Sequence, residues 1–291
     1  MNGTSAQRFH CVDDGVPETT VQLLRQACLG RGIEFVHVDP RWFDYTDDRQ
    51  LQPGELLYRP SVSAVAMRVE QFLCGPGVAT FYRNIDGVYF HPSNSTLQFQ
   101  RAGLPIPRTF PVYHADRQQL DAWVMALGGY PVVLKVMGYS RGIGVMRTDS
   151  PESLYSVVDF TLAEGKTPYL CAYVEHAVHW RLVVVGDRVV SGYRNRNDHN
   201  DFRTYADTDQ EDDFTQPIRE DMASLAVKAV QTLRYEFGGV DVLEHPSGRL
   251  YLLESNFPCY FATPQEAVGI DVAGAMLDFL VEKSRRLTAH L

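Results

Sequence analysis

Long apolar runs are missing from this sequence of 291 residues, and its start lacks a basic segment followed by an apolar stretch. A membrane helix needs about 18 or more apolar residues in a row, and a secretory leader needs the basic-then-apolar order. We therefore expect no membrane span and a cytoplasmic protein. The composition, 45% hydrophobic and 22% charged, is ordinary for a globular chain with room for two or three lobes.

Cysteine is scarce, odd in number and scattered, with no CxxC pair. The five cysteines are Cys11, Cys28, Cys74, Cys171 and Cys259. This spacing favours neither a disulfide framework nor a structural zinc site, so reduced thiols are expected. Cys259 has no histidine near it in sequence, which favours a packing role over a nucleophilic one.

Positive charge is also in deficit, because the formal net charge is −9 at pH 7. Affinity for nucleic acid depends on clustered Lys and Arg, so a nucleic-acid partner is not expected. A small-molecule or peptide substrate fits this balance better. The segment 192–204 reverses the sign locally, since it contains Arg194, Arg196 and Arg203.

Hydrophobic periodicity predicts alternating strands and helices, which is typical of an α/β protein with α+β lobes. The N-terminal part predicts a βαβ unit over 8–39, then a strand over 54–61 and a helix that ends at a CGPG turn. The middle part begins with a short helix that Ser93 is placed to cap, and includes a helix capped by Ser150. The last part predicts a strand pair, a helix over 218–237, a hairpin turned at 246–248 and a closing helix over 272–286.

A lysine followed by a glycine-rich loop occupies residues 134–145, LKVMGYSRGIGV. Gly138, Gly142 and Gly144 permit backbone conformations that aim N–H groups at phosphate oxygens. Lys135 and Arg141 would supply positive charge to the same anion. A hairpin loop that binds no ligand is the competing interpretation.

Two carboxylates and a carboxamide are predicted to converge near the C-terminus. Glu254 and Asn256 are two residues apart on a predicted strand and so share one face, and the hairpin brings Asp241 beside them. Such an all-oxygen set suits Mg²⁺, which shares its coordination shell with nucleotide phosphates. Solvent-facing carboxylates on an exposed hairpin are disfavoured, because the neighbouring valines and leucines indicate buried strands.

The order of these motifs resembles the ATP-grasp fold of RimK-type ligases over roughly residues 90–285. Further similar segments are QRAGLPIPRT (100–109), WRLVVVGDRVV (180–190) and GIDVAGAMLDFL (269–280). The resemblance implies an N-terminal βαβ pre-ATP-grasp domain, 1–90, ahead of an ATP-grasp fold. Its small lobe, 91–174, would carry the phosphate loop and hinge, and its large lobe, 175–291, the metal and substrate site.

Site residues follow from the same resemblance. It implies that ATP contacts the lysine, the glycine loop, the hinge and a basic strand residue: Lys135, Gly138, Ser140, Arg141, Gly142, Gly144, Cys171, Ala172, Tyr173, Val174 and Arg181. It implies that Asp241, Glu254 and Asn256 bind Mg²⁺. Arg194, Arg196 and Arg203 match or neighbour positions that face the transferred phosphate and the acyl substrate.

The sequence departs from the family pattern at the hinge, where Ala172 replaces an acidic residue, at His179, where an Asp is expected, and in two further places that bear on phosphate and substrate binding. His91 and Pro92 stand where the family usually has an Asp-Lys pair, so one phosphate-binding lysine is missing. Phe257, Pro258, Cys259 and Tyr260 replace the family's small Pro-Gly turn, which normally lines the acyl site. A reshaped substrate pocket is therefore expected.

The reaction implied is activation of a carboxylate as an acylphosphate, followed by coupling to an amine with release of ADP and phosphate. Amino acids, peptide termini and peptide side chains all remain possible substrates, and homo-oligomerisation stays open. One alternative is an ATP-grasp enzyme that forms an ester or thioester, or a kinase that stops at phosphoryl transfer. Another is a non-catalytic nucleotide-binding module.

Overall fold

The computed structural model describes residues 7–46, 50–89, 95–136, 142–195, 202–203 and 212–289. Within these ranges the strands form one three-stranded and two four-stranded sheets. No helix in the same ranges is both long and apolar enough to cross a membrane. The predicted mixture of helices and sheets is confirmed.

The N-terminal sheet is parallel, with strand order β2-β1-β3. Its elements are β1 (Arg8–Val12), α1 (Glu18–Leu29), β2 (Glu34–Val38), β3 (Leu56–Tyr58) and α2 (Ala64–Leu73). Val21, Leu24 and Cys28 recur at three- and four-residue spacing on α1 and are all buried, so one face of the helix packs on the sheet. The predicted βαβ unit is therefore present.

The second sheet, called the small sheet here, is antiparallel with order β4-β7-β5-β6. A short helix, α3 (Ser95–Arg101), comes before it. Its elements are β4 (Thr109–Pro111), α4 (Arg117–Leu127), β5 (Val132–Val136), β6 (Val145–Thr148), α5 (Pro151–Ala163) and β7 (Pro168–Ala172). Ser150 caps α5, as predicted, by accepting a hydrogen bond from the Ser153 backbone N–H. Ser93, the predicted cap of α3, lies outside the described residues.

The third sheet, called the large sheet here, is antiparallel with order β11-β10-β8-β9. Its elements are β8 (Val178–Val185), β9 (Arg188–Arg194), α6 (Glu220–Thr232), β10 (Phe237–Glu244), β11 (Leu250–Asn256), α7 (Ala262–Val268) and α8 (Val272–Thr288). Helix α6 ends earlier than predicted because Arg234 adopts a positive φ of 64° and turns the chain into β10. Helix α7 was not predicted.

The N-terminal sheet and the large sheet share their hydrophobic cores. One cluster joins Val12 and Leu57 to Leu182 and Val240, and a second joins Phe9 to Val183 and the α8 side chains. The small sheet instead has a core of its own, formed with α4 and α5 around Leu134 and Leu154. The domain boundaries proposed from the sequence stay a prediction.

Lys283 on α8 ties the two sheets that share cores. It is 8% exposed, and its ammonium donates to the carbonyls of Thr80, at 2.9 Å, and Tyr82, and to the Glu236 carboxylate. Burial lowers the pKa of this amine, and Glu236 opposes that shift. A charge buried to this extent is tolerated because all three of its donors are used.

Lys283→Met should lower the free energy of unfolding by about 1–3 kcal/mol, because two carbonyls and a half-buried carboxylate lose their donor while the methylene packing is kept. Denaturant unfolding would measure the change. Arg285→Met, on the exposed side of the same helix, is the matched control and should stay within about 0.5 kcal/mol of the parent. Equal effects of the two substitutions would contradict a structural role for Lys283.

Candidate active site

Asp241 is the centre of a charged group on one face of the large sheet. It lies opposite Arg181 on β8 and opposite Glu254 on β11, and it is 1% exposed. Arg181 Nη1 donates to both Asp241 oxygens at 2.9 Å, and His179 Nε2 lies 3.4 Å from Oδ1. Burial alone would raise the pKa of Asp241, but the Arg181 guanidinium, and then the contact with His179, hold this pKa below its usual range.

Glu254 and Asn256 lie on the same face, as the two-residue spacing predicts. Asn256 Nδ2 donates to Glu254 Oε1 at 2.7 Å. Glu254 is exposed as a residue; nevertheless the protein around its carboxyl group, and then the neighbouring Asp241 charge, raise its pKa to about 7. Three oxygen-bearing side chains therefore converge on the β10–β11 pair, as predicted.

A bulge in β11 is what brings Glu254 to this face. Val242 pairs with Leu252, whereas Asp241 pairs with Glu254, so Leu253 is an extra residue between them. Without it, Glu254 would pair with Val240, whose side chain points into the core on the other face. The bulge thus converts a core-facing carboxylate into a neighbour of Asp241.

Gly239 is a functional candidate that the sequence reasoning missed. It lies two residues before Asp241 on β10, and a Cβ atom there would lie 2.5 Å from Arg181 Cζ and 2.8 Å from Nε. The Arg181 guanidinium therefore passes over a position that only glycine leaves open. The signal in the sequence is the Gly-Gly pair at 238–239, which one residue separates from Asp241.

Lys135 projects from the outer face of the small sheet. The pairing of Val133 with Cys171 places Lys135 and Cys171 on one face. Burial raises the pKa of the Cys171 thiol, and the nearby Lys135 charge opposes that shift. The opposite face, with Leu134 and Leu170, packs on α4 and α5. Lys135 is half-buried and thus available to a ligand on that outer face.

The glycine loop after Lys135 is described only from residue 142 onward. Gly142 and Gly144 have positive φ values of 72° and 79°, which agrees with the conformational reason for glycine at these positions. A Cβ on Gly142 would lie 3.4 Å from Arg203 Cδ, so the structure brings Arg203 beside the loop. Gly138, Ser140 and Arg141 lie outside the described residues.

The predicted hinge is the connection from the small sheet to the large sheet. Cys171 and Ala172 end β7, and Tyr173 and Val174 lead toward β8. The Tyr173 ring has the Arg147 guanidinium carbon 4.9 Å from its centroid and Phe202 at 6.4 Å. Adenine contacts at this connection stay a prediction.

Arg194 is not brought to the carboxylate face by the strand pairing. It pairs with Trp180, while its neighbour Tyr193 pairs with Arg181, and paired residues share a face of the sheet. Its backbone is held by two hydrogen bonds with Asp213, of 2.9 and 3.0 Å. Arg196 lies outside the described residues.

Cys259 is 7% exposed and follows β11. Burial raises the pKa of its thiol to about 12, which leaves it protonated and unreactive near neutral pH. This environment agrees with the packing role that the sequence favoured.

Cavities in the described residues bear on where a ligand could lie. An open groove of about 410 Å³ is lined by Pro105, Leu225, Tyr251 and the β10–β11 turn. It lies at the end of β11 away from Asn256, so we do not assign the active site to it. A smaller cavity is lined in part by Phe257 and Pro258, the two residues that follow Asn256 in the chain.

The fold is that of the ATP-grasp ligases. The ATP-grasp ligase PsnB, solved with a minimal precursor, Mg and ADP, has a TM-score of 0.74 at 14% identity and covers 96% of this chain and 98% of that chain. D-alanine–D-alanine ligase from Bacillus anthracis has a TM-score of 0.64 at 14% identity, with 98% and 99% covered.

A family model described as a RimK-like ATP-grasp domain matches residues 95–280, and the chain belongs to that family. A probable alpha-L-glutamate ligase from Enterobacter sp. is 26% identical over 76% of this chain and 77% of its own length. A second probable alpha-L-glutamate ligase, from Vibrio parahaemolyticus, is 26% identical over 64% of this chain. The match covers 61% of the length of that relative. The predicted family and fold are confirmed, ATP use agrees with them, and these relatives are named as ligases.

Proposed function

We propose that this protein is an ADP-forming ligase that joins a carboxylate to an amine with ATP and Mg²⁺. The observation that carries the proposal is the convergence of Asp241, Glu254 and Asn256 on one sheet face, beside the guanidinium of Arg181. The Lys135 face of the small sheet would hold the phosphates of the nucleotide, and the Cys171–Val174 connection its adenine.

The donor set fits Mg²⁺ by its chemistry. Asp241 and Glu254 offer carboxylate oxygens and Asn256 offers a carboxamide oxygen, all of them hard ligands. Burial, and then the neighbouring Asp241 charge, raise the pKa of Glu254. A divalent cation between the two carboxylates would relieve their repulsion. When bound, the cation would neutralise charge on the nucleotide phosphates.

In the proposed reaction a substrate carboxylate oxygen forms a bond to the γ-phosphorus of ATP, and the bond to the bridging oxygen of ADP breaks. The amine then adds its lone pair to the acyl carbon of the resulting acylphosphate, and inorganic phosphate leaves as the amine loses a proton. Lys135 and Arg181 would supply positive charge to the moving phosphoryl group. Arg203, beside Gly142, is placed to act at the same loop.

The substrates are proposed to be amino acids or peptides. One relative is named a ribosomal protein bS6–L-glutamate ligase, and PsnB has been solved with a precursor peptide. The first name describes a ligase for a protein and L-glutamate, and the second an ATP-grasp ligase in complex with a peptide. A peptide or a free amino acid as either partner is consistent with this site.

Mg-ATP with pools of carboxylic acids and amines would test the reaction, with ADP and product masses as readouts. We expect ADP release that requires both pools, and a product whose mass is the sum of the substrates less one water. A final product that carries a phosphoryl group would instead identify a kinase. No ADP in any combination would overturn the proposal.

Lys135→Ala should weaken nucleotide binding about tenfold, roughly 1.4 kcal/mol, because it removes a point charge from the phosphates rather than a buried group. Calorimetric titration with a non-hydrolysable ATP analogue would measure the affinity. Lys166→Ala, an exposed lysine on the same lobe, is the control and should bind like the parent. Unchanged affinity in Lys135→Ala would remove the lysine from the proposed site.

The two described arginines of the 192–204 segment should differ in effect. Arg203→Ala should lower kcat/KM about 10²-fold, roughly 2.7 kcal/mol, because its side chain lies at the phosphate loop. Arg194→Ala should lower it less than about threefold, since its strand position faces away from Asp241. Parallel steady-state assays at low and high salt would compare them, and equal losses would contradict the assignment by strand face.

A further inference from the structure

A cavity of about 150 Å³ lies at the junction of the N-terminal sheet and the end of β11. We call it the aromatic crevice. Its principal lining side chains are Arg59, Met67, Tyr82, Val88, Tyr235 and Phe257. Apolar protein cavities of about this volume accommodate a benzene molecule.

The crevice opens where a ligand is expected on topological grounds. Strands β2 and β3 flank β1 on opposite sides, so the order of the parallel strands reverses there. In open parallel sheets, ligands bind outside the carboxyl ends of the strands at such a point. Arg59 directly follows β3, and Met67 lies on α2, so the crevice occupies that position.

The crevice also adjoins the proposed metal site along the chain. Phe257 and Pro258, two of its lining residues, directly follow Asn256 at the end of β11. Phe257 packs at 5.1 Å from the Tyr82 ring and 4.6 Å from the Tyr235 ring. A carboxylate held near Asn256 would therefore lie beside the chain segment that lines the crevice. These residues belong to the segment that departs from the family's small Pro-Gly turn.

The positive charge of Arg59 in the crevice is already paired with the negative charge of Glu70. Arg59 Nε donates to Glu70 Oε2 at 2.7 Å, and Tyr82 Oη donates to the same oxygen at 2.9 Å. Arg59 also donates to the Ser61 carbonyl, and its Nη2 lies 3.4 Å from Tyr82 Oη. A charged side chain that entered here would lose its hydration with no countercharge to receive it. An uncharged occupant is therefore favoured.

Exposed apolar side chains mark the mouth of the crevice. Val62 is 78% exposed and Tyr89 is 62% exposed, and both belong to its lining. Tyr89 is fixed there by a hydrogen bond from its hydroxyl to the Gln71 carbonyl, at 3.2 Å. Burying these two side chains against a ligand would add favourable apolar contact.

We propose that the aromatic crevice binds an uncharged, apolar side chain, up to the size of a phenyl group, on the carboxylate substrate. The inference rests on the proposed ligase function and narrows its substrate class. Glutamate is the amino acid in the relatives' names, so N-acetylglutamate is the comparison probe for the crevice. Met67 and Val88, which line the aromatic crevice, would determine the size of the side chain that it accepts.

Calorimetry on the full chain with Mg-ADP would test the crevice through three probes: N-acetylphenylalanine, N-acetylglutamate and phenylalaninamide. We expect N-acetylphenylalanine to bind at least tenfold more tightly than either of the others. Met67→Trp should fill the crevice and bring N-acetylphenylalanine and N-acetylglutamate to within about twofold of each other. Val88→Ala should enlarge it and improve the relative affinity for N-acetyltryptophan. Circular dichroism would establish that both variants fold.

Tighter binding of N-acetylglutamate, or a preference that survives in Met67→Trp, would overturn the proposal. Tighter binding of phenylalaninamide would overturn the assignment to the carboxylate substrate. The pooled ADP assay separates this outcome from failure of the proposed function. If ADP forms only with glutamate carboxylates, the ligase stands and the crevice proposal falls. If no ADP forms, the ligase falls, and the binding ratios still decide what the crevice holds.

Discussion

Asp241→Asn should abolish ATP turnover, with a loss of roughly 10³-fold, about 4 kcal/mol, because it removes one negative charge from the proposed metal site. The side chain keeps its shape, and its remaining carbonyl oxygen can still accept a hydrogen bond from Arg181. Glu254→Gln should behave in the same way. A coupled ADP assay would measure the loss, and Mn²⁺ bound in the presence of ADP would report metal affinity without turnover.

Glu244→Gln is the matched control for these substitutions. Glu244 is a carboxylate on the same strand as Asp241, but it accepts hydrogen bonds from Trp180 and Arg219 at the far end. It should retain turnover within about threefold of the parent, since it lies outside the proposed metal site. Full activity and parental Mn²⁺ affinity in both Asp241→Asn and Glu254→Gln would remove the metal assignment.

Gly239→Ala should lower kcat by about 10²-fold or more, because the added methyl group occupies the path of the Arg181 guanidinium and displaces it from Asp241. Steady-state kinetics would measure the loss. Gly30→Ala is a control of the same chemistry: Gly30 has an ordinary helical φ of −63°, and its nearest neighbour to a new Cβ is a carbonyl oxygen at 3.6 Å. It should leave kcat unchanged.

A double-mutant cycle would establish that Gly239 acts through Arg181. In an Arg181→Ala background the added methyl group has nothing to displace, so Gly239→Ala should cost little further activity. Additive losses would mean that the methyl group harms the strand itself. The cycle thus separates positioning of Arg181 from general damage to β10.

The convergence of Asp241, Glu254 and Asn256 followed from the sequence, but the reason for it did not. Two-residue alternation placed Glu254 and Asn256 on one face, yet regular pairing from the hairpin turn would have directed that face into the core. The extra residue Leu253 restores the match with Asp241. The adjacent pair Leu252-Leu253 breaks the alternation of apolar residues, and this was the available sign of a bulge.

Features that depend on long-range packing could not be read from the chain. The passage of Arg181 over Gly239 requires the register of β8 against β10, which no local pattern specifies. The Arg59–Glu70 pair is likewise buried by elements far apart in sequence. By contrast, the cap at Ser150 and the extent of α8 rest on neighbouring residues, and the sequence predicted both.

The separate core of the small sheet has a consequence for how the protein opens. A sheet whose core with α4 and α5 is separate from the cores of the other two sheets can lose structure without disturbing the N-terminal and large sheets, which share theirs. Amide protons of β5 and β7 would then exchange with solvent through a partial opening of their own, at a lower free energy than those of β1, β8 and β10. A nucleotide that bridges the two lobes would close this gap in protection, so deuterium uptake at β5 and β7 would fall selectively when ATP binds.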